Sequence, residues 1–157
     1  LTRLYARAPR RERAVGVIPR NHGSPTTLVA ALTPAGLIAP QRQLKGMTTE
    51  RFIAYVRDVL CPRLRPGQVV VLDNLSAHKR ATVRDLIEAA GCTLLYLPPY
   101  SPDFTPIEPA YAKVKAALRA AGARTQDALD HALDAAVATI TAQDARGFFT
   151  HCGYSLA

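Results

Sequence analysis

The apolar residues of this chain recur with two different periods, and each period predicts a different kind of element. The run Thr26–Leu32 is rich in β-branched and apolar residues and is followed by the turn sequence TPAG. Leu37–Leu44 then alternates loosely, so the two segments are predicted to form a β-hairpin. A helix is predicted next, from Thr48 or Thr49 to about Leu60, because its apolar side chains fall on one stripe.

Two short, continuously apolar runs predict strands further along the chain. Gln68–Leu72 (QVVVL) and Thr93–Leu97 (TLLYL) do not alternate, and such runs are typical of strands that are buried on both faces. Between them, a helix is predicted from about Lys79 to Ala90, with Gly91 in the usual position for ending it.

The last third of the chain is predicted to be mainly helical. A proline-rich loop, residues 98–106 (PPYSPDFTP), leads into a helix from Ile107 to about Ala121, and a last helix is predicted at roughly Gln126–Thr141. A short strand at Ala14–Ile18 is also considered. The order of elements predicts one α/β domain, residues 1–157, with a mixed sheet flanked by helices.

The charge of the chain indicates a polyanionic partner. The formal net charge is +8 and the isoelectric point is about 9.9. Residues 1–20 contain six arginines and one glutamate, and residues 109–124 contain four basic residues and no acid. A phosphate-contacting surface and a merely solvated face both explain such clusters. The candidate phosphate contacts in these two segments are Arg7, Arg10, Arg11, Lys113, Lys115 and Arg119.

Other classes of protein are disfavoured by the composition. Cys61, Cys92 and Cys152 are widely spaced without a Cys-x-x-Cys pair, which argues against a zinc site and a disulfide framework and favours a reducing compartment. No apolar run is long enough for a membrane span. We therefore expect a cytoplasmic protein.

Two acids stand out by their positions. Asp73 follows the first buried strand directly, and Glu108 lies in the first turn of a helix; residues 74–107, 34 in number, separate them. Acids at strand ends often face ligands in α/β sheets. Purely structural roles also remain open: Asp73 in an Asx turn helped by Asn74, and Glu108 in a capping box with Thr105 as the N-cap.

The sequences around both acids resemble the second and third acidic motifs of DDE transposases. VVVLDNLSAHK (residues 69–79) and LPPYSPDFTPIEPAYAKVKAALR (residues 97–119) are most similar to bacterial insertion-sequence members of the Tc/mariner superfamily. There the motifs read roughly DNxxxHK and YSPDxNPIE, with a similar spacing. Thr105 replaces the usual asparagine and Tyr111 the usual tryptophan; both keep the local role of N-cap or buried aromatic.

The resemblance implies a fold, a reaction and a set of partners. The fold would be ribonuclease H-like, and the reaction would be phosphodiester hydrolysis followed by strand transfer. Asp73 and Glu108 would serve as catalytic residues and as ligands of a two-metal site for Mg²⁺ or Mn²⁺, since hard cations prefer carboxylate oxygens. His78 and Lys79 would lie near DNA phosphate or the active site. The partners would be double-stranded DNA, at element ends and target, and a second copy of the chain.

The family also has a first catalytic aspartate, on a strand that would precede the segment matching residues 1–9. Upstream of Asp73 the chain contains one aspartate, Asp58, in a predicted helix, and neither Glu12 nor Glu50 fits the motif. We therefore expect an N-terminally partial domain without the first acidic strand and the helix-turn-helix domains, inactive by itself. That strand is central in the fold, so Gln68–Leu72 is expected to have an unpaired edge.

Two alternatives stay open at this point. The chain could be a catalytically inactive, basic DNA-binding remnant that keeps the scaffold without the chemistry. It could also be another ribonuclease H-like nuclease in which a different acid completes the site.

Overall fold

A β-hairpin forms the first sheet of the molecule. The computed structural model describes residues 5–16 and 25–156. Strands β1 (Thr26–Thr33) and β2 (Gly36–Leu44) pair antiparallel, with an irregularity between Val29 and Ala31, so the predicted hairpin is confirmed. Gly36 adopts φ +126°, and a Cβ there would approach the Ile140 carbonyl oxygen to 3.2 Å. A glycine is therefore required at the turn.

The second sheet is parallel. Strands β3 (Val69–Leu72) and β4 (Thr93–Tyr96) pair in register from Val69↔Thr93 to Leu72↔Tyr96. Helix α2 (Ala81–Ala89) connects them, and Gly91 follows it with φ +74°, as the sequence predicted. Parallel strands need such a crossover, and the arrangement brings the carboxyl ends of both strands to one edge of the sheet.

One face of this parallel sheet is exposed. Val69, Val71 and Leu95 retain 55%, 39% and 52% of their accessible surface, whereas Val70 and Leu94 on the opposite face pack into the core. The prediction that both strands are buried on both faces is therefore wrong. The physical reason is that no element in the described part of the chain covers the face that carries Val69, Val71 and Leu95.

The first helix follows the hairpin and changes type along its length. Helix α1 (Thr49–Tyr55) begins at Thr48, whose hydroxyl accepts a hydrogen bond from the Arg51 amide at 3.3 Å, as predicted. It continues as a π-helical turn (Val56–Leu60) and a 3₁₀ turn (Cys61–Arg63). The prediction of one helix to Leu60 is right in extent, while the widening into a π turn had no sequence signal.

Three helices complete the chain. They are α3 (Ile107–Ala121), α4 (Gln126–Ala138) and α5 (Ala142–His151). The prediction of a last helix extending to Thr141 is wrong, because α4 ends at Ala138 and Thr141 starts another helix. The Thr141 hydroxyl accepts from the Asp144 amide, and the Asp144 carboxylate accepts from the Thr141 amide. This capping box begins α5, which the sequence analysis missed.

Two apolar clusters hold the layers together. One joins α1, its π turn and α2 to the inner faces of the strands, with Val56, Val83 and Ile87 fully buried. The other joins α3 and α4 to Leu28, Leu32 and Leu37 on the opposite face of the hairpin. The hairpin therefore lies between two helical layers, whereas helices cover β3 and β4 on one face.

The edge of β3 is free within the described residues, where β4 is its one partner. Ala14–Gly16 are exposed and form no strand, and the rest of the considered strand Ala14–Ile18 lies outside the described residues. None of the helices in the described ranges is both long and apolar enough to cross a membrane.

Candidate active site

Asp73 lies directly after β3, with one carboxylate oxygen held by the protein. Its Oδ1 accepts a hydrogen bond from the Leu75 amide at 3.0 Å, and His78 Nδ1 lies 2.6 Å from the same atom. The Asx-turn interpretation of Asp73 is thus confirmed. It does not exclude a site role, because Oδ2 accepts no hydrogen bond from any described residue and 49% of the side chain is exposed.

His78 closes the turn that Asp73 begins. Its backbone amide donates to the Leu75 carbonyl at 2.9 Å, and its ring lies against Phe52 with the ring centroids 4.3 Å apart. The Tyr96 hydroxyl donates to the His78 carbonyl at 3.0 Å. Helix α1 and strand β4 therefore both support the loop between β3 and α2.

The ends of the two parallel strands are tied to each other. The Leu97 amide donates to the Leu72 carbonyl at 2.9 Å, and the Asn74 side-chain amide donates to the Leu97 carbonyl. These bonds hold the residue after Asp73 against the start of the proline-rich loop. That loop leads to Glu108, so both acids belong to segments that start at the same edge of the sheet.

The proline-rich loop is fixed by local turns and by the C-terminal segment. Pro102–Phe104 form a 3₁₀ turn, and the Tyr154 hydroxyl donates to the Phe104 carbonyl at 2.8 Å. Tyr100 adopts φ +56° and is exposed. The segment after α5 therefore anchors the loop that precedes Glu108.

Glu108 is exposed in the first turn of α3 and is not used in capping. The helix has no side-chain capping hydrogen bond, and the backbone carbonyl of Thr105 accepts from the Glu108 amide at 3.1 Å. The predicted Thr105–Glu108 capping box is therefore wrong. Pro106 fixes the helix start through its φ of −61°, which leaves the carboxylate free of hydrogen bonds to described residues.

An open pocket of about 430 Å³ lies beside Glu108, and Asp103, His151 and Cys152 also line it. Burial raises the pKa of the Cys152 thiol, and the carboxylates of Asp103 and Glu108 raise it further. A thiol responds in this way to nearby negative charge. Two carboxylates thus line this pocket together with the His151 side chain, and Asp73 is not among its lining residues.

A family model described as DDE superfamily endonuclease matches residues 2–130. That range covers more than half of the chain and includes both acids. The chain belongs to the DDE superfamily endonucleases. The resemblance of the two acidic motifs is thereby confirmed, while a search among curated proteins gave no match.

Solved structures of one transposase share the fold of this DDE endonuclease chain. A Mos1 mariner paired-end complex with Mn has a TM-score of 0.73 at 16% identity and covers 99% of this chain, which spans 52% of that one. A pre-cleavage Mos1 transpososome has a TM-score of 0.70 with the same identity and coverage. The Mos1 catalytic domain has a TM-score of 0.65 at 21% identity, and the match covers 81% of this chain and 68% of that one.

These likenesses confirm the predicted ribonuclease H-like α/β fold. The DDE endonuclease chain spans about half the length of the first two structures. Within residues 5–16 and 25–156, β3 pairs with β4 alone, and the absence of a first acidic strand stays a prediction.

The donor chemistry of the two acids fits a hard divalent cation. Asp73 offers Oδ2 and Glu108 offers its whole carboxylate, and carboxylate oxygens are the ligands that Mg²⁺ and Mn²⁺ prefer. Within the described ranges, however, no group of three or more His, Cys, Asp or Glu side chains is arranged to hold a metal ion. Asp58 lies on the π turn, and its carboxylate already forms an ion pair with Arg57 at 2.7 Å.

The predicted basic contacts on α3 are not equivalent. Lys113 Nζ lies 2.7 Å from the Asp144 carboxylate, so it already has an anionic partner within the protein. Lys115 is exposed, Arg119 is half-buried, and neither pairs with an acid of the described chain. Lys79, next to His78, is also exposed.

The arginine arm is exposed along the part of it that the structure describes. Arg7, Arg10 and Arg11 belong to residues 5–16, a segment whose side chains are all exposed and which contains one turn, closed by the Glu12 amide and the Pro9 carbonyl at 3.0 Å. Arg11 adopts φ +74°. The structure therefore leaves these guanidinium groups accessible without placing them at the two acids.

Sequence reasoning missed three side chains that shape the site. Phe52 had been assigned to the apolar stripe of α1, and its contact with His78 depends on tertiary packing. Tyr154 followed the last predicted helix and had no signal. Asp103 stood in the recognised motif, and its position beside the pocket became visible once the 3₁₀ turn was known.

Proposed function

We propose that this chain is the catalytic core of a DNA transposase that cleaves DNA strands and joins them to a target in a reaction dependent on divalent metal ions. The single observation that carries the proposal is the availability of carboxylate oxygens at both Asp73 and Glu108. In a DDE endonuclease chain, both acids keep uncommitted carboxylate oxygens on segments that start at one edge of the parallel sheet.

Asp73 and Glu108 would hold the metal ions of a two-metal site. When bound, a pair of such cations activates the attacking oxygen and stabilises the leaving oxygen of an in-line phosphoryl transfer. The protein's own contribution is placement: the Leu75 amide fixes one oxygen of Asp73, and the rigid loop before α3 fixes Glu108. The exposure of both carboxylates leaves room for a DNA strand.

The DNA would be held through its phosphates. Lys79, Lys115 and Arg119 and the arm residues Arg7, Arg10 and Arg11 are the cations that we assign to this role. Such contacts position the duplex without reading its sequence. Lys113 would contribute less, because Asp144 already neutralises it.

Two copies of the chain would act together on a pair of element ends. The support for this is the fold shared with the Mos1 transpososome and the Mos1 paired-end complex. A bacterial insertion sequence remains our proposal for the source of the chain, and 1–157 our proposal for the extent of the catalytic domain that is present.

A DNA-binding module without strand cleavage is the second candidate. The observation that favours it is the lack, within the described ranges, of any group of three or more His, Cys, Asp or Glu side chains arranged to hold a metal ion. A basic surface alone binds DNA with a steep dependence on salt, so DNA binding by itself does not decide between the candidates.

The deciding experiment is nicking of labelled element-end DNA in Mg²⁺ or Mn²⁺. It uses this chain, alone and joined to whatever its gene encodes upstream of Leu1. Under the proposal, one of these proteins nicks DNA, and Asp73→Asn and Glu108→Gln each reduce nicking to the metal-free background. Asp85→Asn, an exposed acid of α2, is the matched control and should nick normally.

The alternatives give different results in the same assay. If both proteins bind DNA with a steep salt dependence and neither nicks it, the second candidate is correct. Nicking that survives Asp73→Asn would show that another acid carries the chemistry, as in a different ribonuclease H-like nuclease.

A further inference from the structure

The imidazole of His78 is enclosed on several sides. Its side chain is 17% exposed, and its ring lies against Phe52 of α1 at a centroid distance of 4.3 Å. The backbone at the same residue is held at both ends, by the Leu75 carbonyl at 2.9 Å and the Tyr96 hydroxyl at 3.0 Å. Because the His78 ring already has little conformational freedom, it loses little entropy when it contacts a neighbouring group, and it can hold that group in place.

The nitrogen Nδ1 of this ring is buried and faces one polar group of the described chain. Asp73 Oδ1 lies 2.6 Å from it, although outside the usual hydrogen-bond angle. The same oxygen accepts the Leu75 amide at 3.0 Å. Oδ1 therefore accepts one hydrogen bond, from the Leu75 amide, and also lies against Nδ1 of His78, whereas Oδ2 is left without a hydrogen bond to any described residue.

We propose that His78 is a positioning residue for Asp73, which holds Oδ1 so that Oδ2 is presented to a divalent cation. The inference rests on the proposed function, since it assigns a partner to one of the proposed ligands. Groups behind a metal ligand fix its rotamer, and their loss typically weakens metal binding by about 10- to 100-fold.

A contact with DNA phosphate explains the buried nitrogen less well. A phosphate ligand needs an accessible donor, and Nδ1 is closed off from solvent and lies 2.6 Å from a carboxylate oxygen. The exposed ammonium of Lys79, one residue further on, is the better candidate for phosphate. His78 and Lys79 therefore have separate roles despite being adjacent.

Two substitutions separate the ring from its donor. His78→Phe keeps an aromatic ring against Phe52 and removes the nitrogen, whereas His78→Asn keeps an N–H donor near the position of Nδ1 and removes the ring. Ser76→Ala, at an exposed position of the same loop, is the control. Thermal unfolding of each variant by circular dichroism fixes a temperature at which all of them are folded.

The first readout is Mn²⁺ binding to the folded chain, followed by the electron paramagnetic resonance signal of free Mn²⁺. We expect His78→Phe to weaken binding by about 10-fold or more, while His78→Asn and Ser76→Ala stay near the unsubstituted chain. Asp73→Ala defines the loss of the site. A merely structural role for His78 would lower the unfolding temperature of both His78 variants and leave the Mn²⁺ affinity unchanged, which would overturn the inference.

The second readout does not need a metal. In ¹⁵N NMR spectra of the metal-free chain, the Nδ1 of His78 should carry a proton that exchanges slowly, and Asp73→Ala should make that proton exchange rapidly. An unprotonated Nδ1 overturns the inference. If Asp73→Ala does not reduce Mn²⁺ binding, the result counts against the proposed function. The NMR result then tests the His78–Asp73 contact independently.

Discussion

At the scale of single residues, Asp144 joins two helices. Its carboxylate accepts hydrogen bonds from the Lys113 ammonium of α3 at 2.7 Å and from the Thr141 amide at the start of α5 at 2.9 Å. The Lys113 ammonium is the largest cause that lowers the pKa of Asp144 to about 2, and the Thr141 backbone and hydroxyl donors add to it. The charged form of Asp144 thus stabilises the packing of α5 on α3.

This pairing predicts an acid-dependent loss of stability. Because folding lowers the pKa of Asp144 from its ordinary 3.8 to about 2, its contribution is complete above about pH 4 and is lost as the pH falls toward 2. Asp144→Asn should therefore unfold at a lower temperature than the unsubstituted chain at pH 5. The difference should shrink steadily between pH 4 and pH 2.

Thermal unfolding followed by circular dichroism over that pH range is the measurement. Lys113→Met is the matched variant and should remove most of the same pH dependence. A difference between Asp144→Asn and the unsubstituted chain that stays constant from pH 5 to pH 2 would contradict the assignment.

The candidate site shows which residue roles could be predicted from sequence. Asp73 and Glu108 were found because a motif is a local pattern, and the Asx turn at Asp73 is equally local. The capping box at Thr105 was a local pattern too, but Pro106 starts α3 in a way that leaves Glu108 out of it. The contact between His78 and Phe52 joins α1 to the loop after β3, and no local pattern records such a contact.

At the scale of elements, the parallel sheet carries the clearest difference from expectation. The runs of β3 and β4 are apolar on both faces, and this pattern predicted burial on both. The structure buries the face with Val70 and Leu94 and exposes the face with Val69, Val71 and Leu95. The continuous apolar runs thus predicted the two strands correctly. Whether each face of the sheet is buried depends instead on which other helices or strands pack against it.

A matched pair of substitutions tests this difference between the two faces. Val71→Thr changes an exposed position and should alter the free energy of unfolding by no more than about 0.5 kcal/mol. Val70→Thr places a hydroxyl at a partly buried position that packs against the core and should cost about 1–3 kcal/mol. Urea unfolding of both variants and the unsubstituted chain gives the comparison.

Equal losses for the two variants would contradict the structure. They would mean that the face with Val71 is covered in solution, and sedimentation would then show whether a second copy covers it.

The boundaries of the helices also differ in how far local sequence predicted them. The Thr48 cap and the glycine ends of α2 and α3 were available locally, and α1 to α3 were predicted within a few residues. The capping box at Thr141 was also present in the sequence, and it was missed because apolar spacing continued through Ile140. That residue is buried at the junction of α4 and α5, so the spacing runs across two helices.

At the scale of the whole molecule, the two acidic motifs follow neighbouring strands of the parallel sheet. The parallel register of β3 and β4 and the bonds between Leu72, Asn74 and Leu97 set the direction of the loop that leads to Glu108. The order of elements predicted the mixed α/β class, and the motifs predicted the ribonuclease H-like fold. The path of the proline-rich loop and its anchor at Tyr154 required the tertiary structure.

The central claim is that Asp73 and Glu108 serve one cation site, and metal-directed cleavage of the polypeptide tests it most directly. Fe²⁺ takes the place of Mg²⁺ at carboxylate sites, and with ascorbate and peroxide it generates radicals that cut the backbone beside the metal. We predict cuts near both residue 73 and residue 108, suppressed together by excess Mg²⁺ and by either Asp73→Asn or Glu108→Gln. Cuts at one of these positions alone, or cuts that survive both substitutions, would contradict the account.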